Sequence, residues 1–389
     1  MSTPVHTLPD LRRLRMRSLT GGCAALAICL AGALLGHQSF LESYLVAFLF
    51  WLGIGLGCLS ILMLYHLTGG RWGAVIRRIL ESGIHTLRWM ALLFLPLLLG
   101  VHQLYPWARP SASSDSILEH QRTYLNMPFF AVRAVVYFTV WNVLAYFLER
   151  WSAEQDRTGS AGISRRFQLL SGPGLVAYGL TMTFASIDWV MSLDARWYST
   201  IYGMIFLAGQ ALSAFAIAIP VLAFFVQRRT LDGIVSPNHF HDLGNLMLTF
   251  VMLWSYFSFS QFLIIWSGDL HEEIPWYLRR TQHGWQWFAI ALIVIHFLLP
   301  FVLLLSRQIK RNMAWLSGIA IAVAVMTFID LYWFVMPSFS SSRVTVHWSI
   351  LAAAAGIGGV WLSIFAGELT KRPPIPLQDP NNCPYPEPL

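Results

Sequence analysis

The chain of 389 residues predicts an all-α integral membrane protein with about ten transmembrane helices, on three observations. Hydrophobic residues make up 56% of it and charged residues only 12%. The charges fall in short blocks between long apolar runs, the layout of a multi-span membrane protein. Each run is continuously apolar over roughly the 20 residues a helix needs to cross about 30 Å of hydrocarbon, whereas a membrane strand would show roughly 10 alternating ones.

The runs lie at 19–36, 43–65, 88–105, 128–148, 171–190, 199–226, 243–266, 284–305, 314–335 and 346–366. Residues 1–18 form a basic amino terminus, 19–366 a single transmembrane domain with no room for a soluble one, and 367–389 a proline-rich tail. The first run, in "LRRLRMRSLTGGCAALAICLAGALLG", also has the form of a signal peptide. Its length, with no polar mature domain behind it, favours a retained helix.

Between the runs, "GGRWGAVIRRILESGIHTLR" sets Trp72, Val75, Ile76 and Ile79 on one helical face and arginines on the other. It is expected to lie along the inner membrane surface. The polar stretch 150–170 reads as a flexible loop. The tail "KRPPIPLQDPNNCPYPEPL" is too rich in proline for helix and is expected to be extended. Aromatic clusters at 105–107, 275–277 and 285–287 fall at span ends and read as interfacial anchors.

Arginine and lysine set the orientation. With the amino terminus inside, inner segments carry nineteen of them, among them Arg12, Arg13, Arg77, Arg78, Arg165, Arg228 and Lys310. The outer loops carry six, Arg109, Arg122, Arg196, Arg279, Arg280 and Arg343. That asymmetry predicts a membrane protein with both termini in the cytoplasm. It also accounts for the net charge of +7 through topology and anionic lipid head groups, with no nucleic acid partner required.

Cys23, Cys29, Cys58 and Cys383 show no CxxC or CxxCH spacing, which argues against an iron–sulfur cluster, covalently attached haem or a disulfide framework. His37, His66, His102, His296 and His347 could serve a b-type haem only if two of them faced each other at one depth.

Ionisable residues at membrane depth are the informative ones, since each costs roughly 2.5–3.5 kcal/mol on insertion scales unless partnered. Glu42, His102, Arg133 and Asp188 fall near the outer ends of spans two to five. They read either as an Arg133–Asp188 ion pair with two neighbours, or as an outer pocket whose carboxylate and histidine could take a quinol's hydrogen bonds and protons. In "FHDLGNLMLTFVMLWSYFSFSQFLIIW", Asp242, Asn245, Thr249, Met252, Tyr256 and Ser260 recur on one helical side. His296 stands mid-span in the eighth run with Pro300 four residues on, and Asp330 lies toward the outer end of the ninth. Asp242, Asn245, Thr249, Tyr256, His296 and Asp330 are therefore the candidates for a hydrated proton path. Against that reading, Asp242 could cap a helix start and the hydroxyls could bond within or between helices.

The runs "LTGGRWG", "LFLPLLLGVHQLYPW", "NMPFFAVRAVVYF", "FASIDWVMSLDARWYSTIYG" and "FHDLGNLMLTFVMLWSYFSFSQFLIIWSGDLHEEIPWYLRR", followed by "HGWQW", resemble the F subunits of bacterial alternative complex III over nearly the whole chain. The resemblance implies a polysulfide-reductase-type (NrfD-like) membrane subunit. Its fold would be two four-helix bundles, helices two to five and six to nine, flanked by helices one and ten. It further implies a place in a menaquinol-oxidising complex beside a related C membrane subunit and iron–sulfur and haem c subunits, without redox centres of its own. His102 and Asp188 loosely resemble the histidine and aspartate of the C subunit's quinol site, with no residue-by-residue match.

Three functions follow as expectations. The first is a scaffold and proton-conducting subunit of a quinol:acceptor oxidoreductase. The second is a quinone-binding subunit using the outer pocket, with a menaquinol contact there. The third is an independent secondary transporter, for which the halves show no clear repeat.

Overall fold

The computed structural model describes residues 9–34, 39–109, 116–159, 162–194, 196–231, 233–340, 344 and 346–376. His37, Arg343, Cys383 and the tail beyond 376 lie outside them. Among the described residues all regular structure is helical, and ten segments are long and apolar enough to cross a membrane. Helices are what hydrocarbon permits, since every backbone N–H must find its carbonyl within its own segment.

In chain order these are α1 (Pro9–Leu34), α2 (Ser39–Thr68), α3 (Arg71–His85), then the short turns α4 (Leu87–Leu93), α5 (Leu95–Leu99), α6 (Val101–Leu104) and α7 (Ser116–Gln121). The long α8 (Met127–Thr158), α9 (Gly162–Trp189), α10 (Tyr202–Gln227) and α11 (Pro237–Gly268) follow, then α12 (Ile274–Thr281) and α13 (Trp285–Ala291). A π-helical turn, Leu292–Leu298, joins α13 to α14 (Leu299–Leu305), and α15 (Arg307–Arg311), α16 (Met313–Val335) and α17 (Ser349–Leu369) complete the chain.

The core sits on α2, of whose apolar window 89% is buried. α2 packs against α3, α9, α10 and α17, and α10 carries the contact onward to α11 and α16. Small residues let these backbones close. A Cβ on Gly57 would come within 1.8 Å of the Gln210 carbonyl oxygen, so α2 and α10 touch backbone to backbone there. α1 runs antiparallel along α17, with Gly22 against Gly359 and Leu26 against Gly356, which sets the start of α1 beside the end of α17.

Two expectations are corrected. The stretch 150–170 is not a flexible loop: α8 continues to Thr158 and α9 begins at Gly162, the left-handed Gly159 closing α8. Its polar residues are held by partners, Ser152 and Asp156 by Arg78 and Glu154 by Arg166. Nor is α3 a separate segment along the inner membrane surface: it forms the first half of the third span, Arg71–Leu99. Val75, Ile76 and Ile79 are buried, and so are Arg77, Arg78 and Glu81 on its other face. The two arginines both grip Glu81, at 2.8 Å and 2.6 Å, which lets the charged face pack inward.

Gly57→Val should lower the melting temperature of the purified chain by several degrees or more, since overpacking costs about 1–3 kcal/mol. Gly179→Ala, where a new Cβ meets nothing within 4 Å, should leave it unchanged. Equal melting of the Gly57→Val and wild-type proteins would mean that α2 and α10 do not meet at this seam.

Candidate functional site

Two buried carboxylates, Asp188 and Asp330, have opposite surroundings. Asp188, on the last turn of α9, is fully buried and saturated. Arg133 of α8 forks onto it with Nε to Oδ2 at 2.8 Å and Nη2 to Oδ1 at 2.9 Å, and the Tyr137 hydroxyl donates to Oδ2 at 2.7 Å. The third arm of the guanidinium donates to the Tyr124 carbonyl, and its face covers the Tyr124 ring at 3.9 Å. Burial pushes the Tyr124 phenol up to about 12, with the Asp188 charge adding to the effect, so this ring stays neutral. A carboxylate with a bidentate cation and a phenol has little left to offer a ligand.

The four outer-pocket residues do not converge. Arg133 and Asp188 meet as the ion-pair reading expects, but His102 is exposed on α6 and its Nδ1 lies 2.6 Å from the Ala108 carbonyl. It borders a separate groove of 440 Å³ with Arg109, Glu119 and Arg122. Glu42 stands in the first turn of α2, and among the described residues no hydrogen bond or ion pair joins it to Arg133, Asp188 or His102. The reason is local: α5 and α6 break the third span into short turns, so His102 leaves the line of the helix that carried it in sequence.

Asp330 is the contrasting carboxylate. Near the carboxyl-terminal end of α16 and only 6% exposed, it accepts one hydrogen bond, from the Trp254 indole of α11 at 3.0 Å, and has no ion pair among the described residues. It lines two spaces. One is a small cavity of 30 Å³ shared with Gln210, Ser213 and Thr327, room for about one water. The other is a largely apolar groove of 570 Å³ between α11, α12, the α13–α14 segment and α16. Beyond the cavity, Gln210 accepts a 2.6 Å bond from the Tyr178 hydroxyl, extending the polar line toward α9.

His296 approaches the same place. It is fully buried in the π-helical turn, its ring 4.2 Å from Trp254, with Nε2 3.5 Å from the Thr327 hydroxyl and Nδ1 without a hydrogen-bond partner. Pro300 at the start of α14 has no N–H for the carbonyl four residues back, and the helix answers by widening rather than by kinking.

The remaining path candidates are scattered. α11 turns Leu243, Met247, Val251 and Trp254 inward, so Thr249 and Tyr256 point out of the molecule, Tyr256 at 64% exposure. The helical spacing was real, but the stripe is offset from the packed face and does not line one continuous channel. Asp242 is not the cap of α11, which begins five residues earlier at Pro237; a reciprocal Ser236–His239 box closes that end. Near Asp242, Asn245 accepts from Lys310 at 2.6 Å.

Sequence reading missed Trp254, Thr327 and Gln210 beside Asp330, although Gln210 interrupts the apolar run "FLAGQALSAF" and carried a signal. It also missed the charged knot of α3, α8 and α17, where His85 bridges Glu149 at 3.0 Å and Glu368 at 2.9 Å. Among the described residues no group of three His, Cys, Asp or Glu side chains could hold a metal ion. No model of a known protein family matches the chain, and no curated protein matches it in sequence.

Replacing Arg133 by Met or Asp188 by Leu alone should lower the melting temperature more than replacing both, because a lone buried charge costs about 3–5 kcal/mol. Additive losses in that double-mutant cycle would mean the pair is energetically uncoupled.

Proposed function

We propose that this chain is the scaffold and proton-conducting membrane subunit of a quinol-oxidising electron-transfer complex, with Asp330 as the group that takes up and releases the proton. The observation that carries the proposal is a carboxylate within a membrane-spanning helix that has, among the described residues, one indole donor and no cation, and that lines both a water-sized cavity and a groove. A structural acid would be expected to have the saturated shell of Asp188; one that must change its protonation state needs spare acceptor capacity and access. His296, Thr327 and Gln210 are the nearby polar groups that water could join to it.

Membership of a complex rests on the sequence resemblance to alternative complex III F subunits. In this reading spans two to five and six to nine form two bundles in the bacterial cytoplasmic membrane, and the partners are a related C subunit and iron–sulfur and haem c proteins that hold the redox centres. The outer-pocket alternative for quinone binding loses support, because Arg133 and Tyr137 already occupy Asp188.

A tagged chain should bring the other membrane subunit and the redox proteins with it through detergent purification; recovery alone would overturn the assignment. In liposomes, the Asp330→Asn complex should assemble, since an amide oxygen still accepts from Trp254, yet move protons beyond those of quinol chemistry about tenfold less or slower. Normal proton movement would remove Asp330 from the path. A reporter fused after Leu389 should be active in the cytoplasm, as the arginine asymmetry requires; periplasmic activity would contradict the topology.

A further inference from the structure

His85 ends α3 between two carboxylates that come from separate helices. Its Nδ1 lies 3.0 Å from Glu149 Oε1 on α8, and its Nε2 lies 2.9 Å from Glu368 Oε1 on the last turn of α17. An ionised carboxylate can only accept, and a neutral imidazole has a single N–H to give. Holding both oxygens at these distances therefore takes the imidazolium, in which both nitrogens donate.

We propose that His85 is a pH-sensitive latch that ties the last turn of α17 to α3 and α8 while both ring nitrogens carry protons, and frees that turn when one proton leaves. Each carboxylate has a second cation of its own, Arg88 at 2.5 Å on Glu149 Oε2 and Lys371 on Glu368. This separates the junction from the Arg133–Asp188 pair, where removing the cation strands a buried charge. At His85 a departing proton leaves Glu149 with Arg88 and Glu368 with Lys371, so the junction opens and no charge is left alone.

Protons have access. His85, Glu149 and Glu368 are 18%, 18% and 19% exposed and border a cavity of 270 Å³ whose lining is mostly charged. The other charges at this end are engaged elsewhere or stand apart. Arg77 and Arg78 hold Glu81, Arg78 also reaches Asp156, and Arg150 donates to the Tyr146 hydroxyl. Arg15 of α1 lies against Gly367, and Arg372 borders the cavity. Among the described residues none of these bonds to His85. α1 is held to the molecule mainly through α17, so the latch governs one end of that helix pair. It makes no use of Asp330 or of a partner subunit, and it stands or falls separately from proton conduction.

The test follows the full chain in phosphatidylcholine nanodiscs by amide hydrogen exchange over the last turn of α17, corrected for the intrinsic effect of pH, and by nitrogen NMR of the His85 ring. Between about pH 6 and about pH 9, the exchange should rise about tenfold or more, in step with the ring passing from two N–H groups to one. His85→Arg, which donates from a permanent charge, should keep exchange slow at both ends of that range. His85→Gln, which has no charge, should leave it fast at both. The two wild-type measurements decide the matter if neither variant folds. A single N–H at the acid end, a ring that keeps both through the alkaline end, exchange that stays level while the ring titrates, or a His85→Arg chain that loosens as wild type does would each overturn the proposal.

Discussion

Inside a hydrocarbon layer, water cannot serve a polar group, so each one must find its partner in the protein. The whole architecture follows from that constraint. The backbone meets it by folding entirely into helices, and the small hydroxyls meet it by bonding back into their own turns, as Ser213 does to the Gly209 carbonyl and Thr181 to that of Ala177. The ionised groups meet it in knots. Arg133 is spent on Asp188 and the Tyr124 carbonyl, and Arg78 on Glu81, Ser152 and Asp156. Against that background Asp330 stands out through what it has not been given. A single indole donor leaves half of its acceptor capacity available, and both spaces it borders are places where something other than the chain could supply the rest.

Packing sets where that difference falls. The close seam of α2 with α10 brings Gln210 to the centre of the molecule, where it reaches Tyr178 on one side and the cavity below Asp330 on the other. α12 secures the far end of the same region. Buried Arg280 lies over the Trp276 ring at 3.6 Å and donates to the Phe334 carbonyl at 2.6 Å, fixing the last turn of α16 one turn past Asp330. Arg279 pairs with Asp194, and Trp197 stacks on Trp276 at 4.3 Å, so the α12 wall of the groove is tied to the connection leading into α10.

Much of this was legible in the sequence, and what was not has physical reasons. Ten spans could be counted because twenty apolar residues in a row have few other uses, but the third, read at 88–105, runs from Arg71 to Leu99, since the paired charges of α3 hide its first half from hydropathy. The Arg133–Asp188 pair was within reach because two opposite charges at one depth in neighbouring spans have strong cause to meet. Helix ends were less legible. α8 and α9 extend well past their apolar runs because polar turns persist when their side chains are paired, and hydropathy cannot see pairing. The stripe on α11 failed for another reason. Periodicity tells which residues share a face, but whether that face turns inward depends on neighbours, and here Leu243, Met247 and Trp254 won the packed side. Asp330 drew notice in the sequence as an acid with no basic residue beside it. Its indole donor and its two cavities are tertiary facts that no single segment encodes.

The π-helical turn at Leu292–Leu298 reaches beyond its own seven residues. Widening a helix by one residue over one turn shifts the phase of everything after it by about 100° relative to everything before. A wheel drawn from α13 therefore misassigns the faces of α14, and the two halves of the span answer to separate rotational frames. In evolutionary terms such a turn is one surplus residue absorbed in place. Removing a single residue there would restore a regular spiral, preserve the span's hydropathy almost unchanged, and swing His296 or its flanking partners off the Trp254 side. The span's composition would not register the loss.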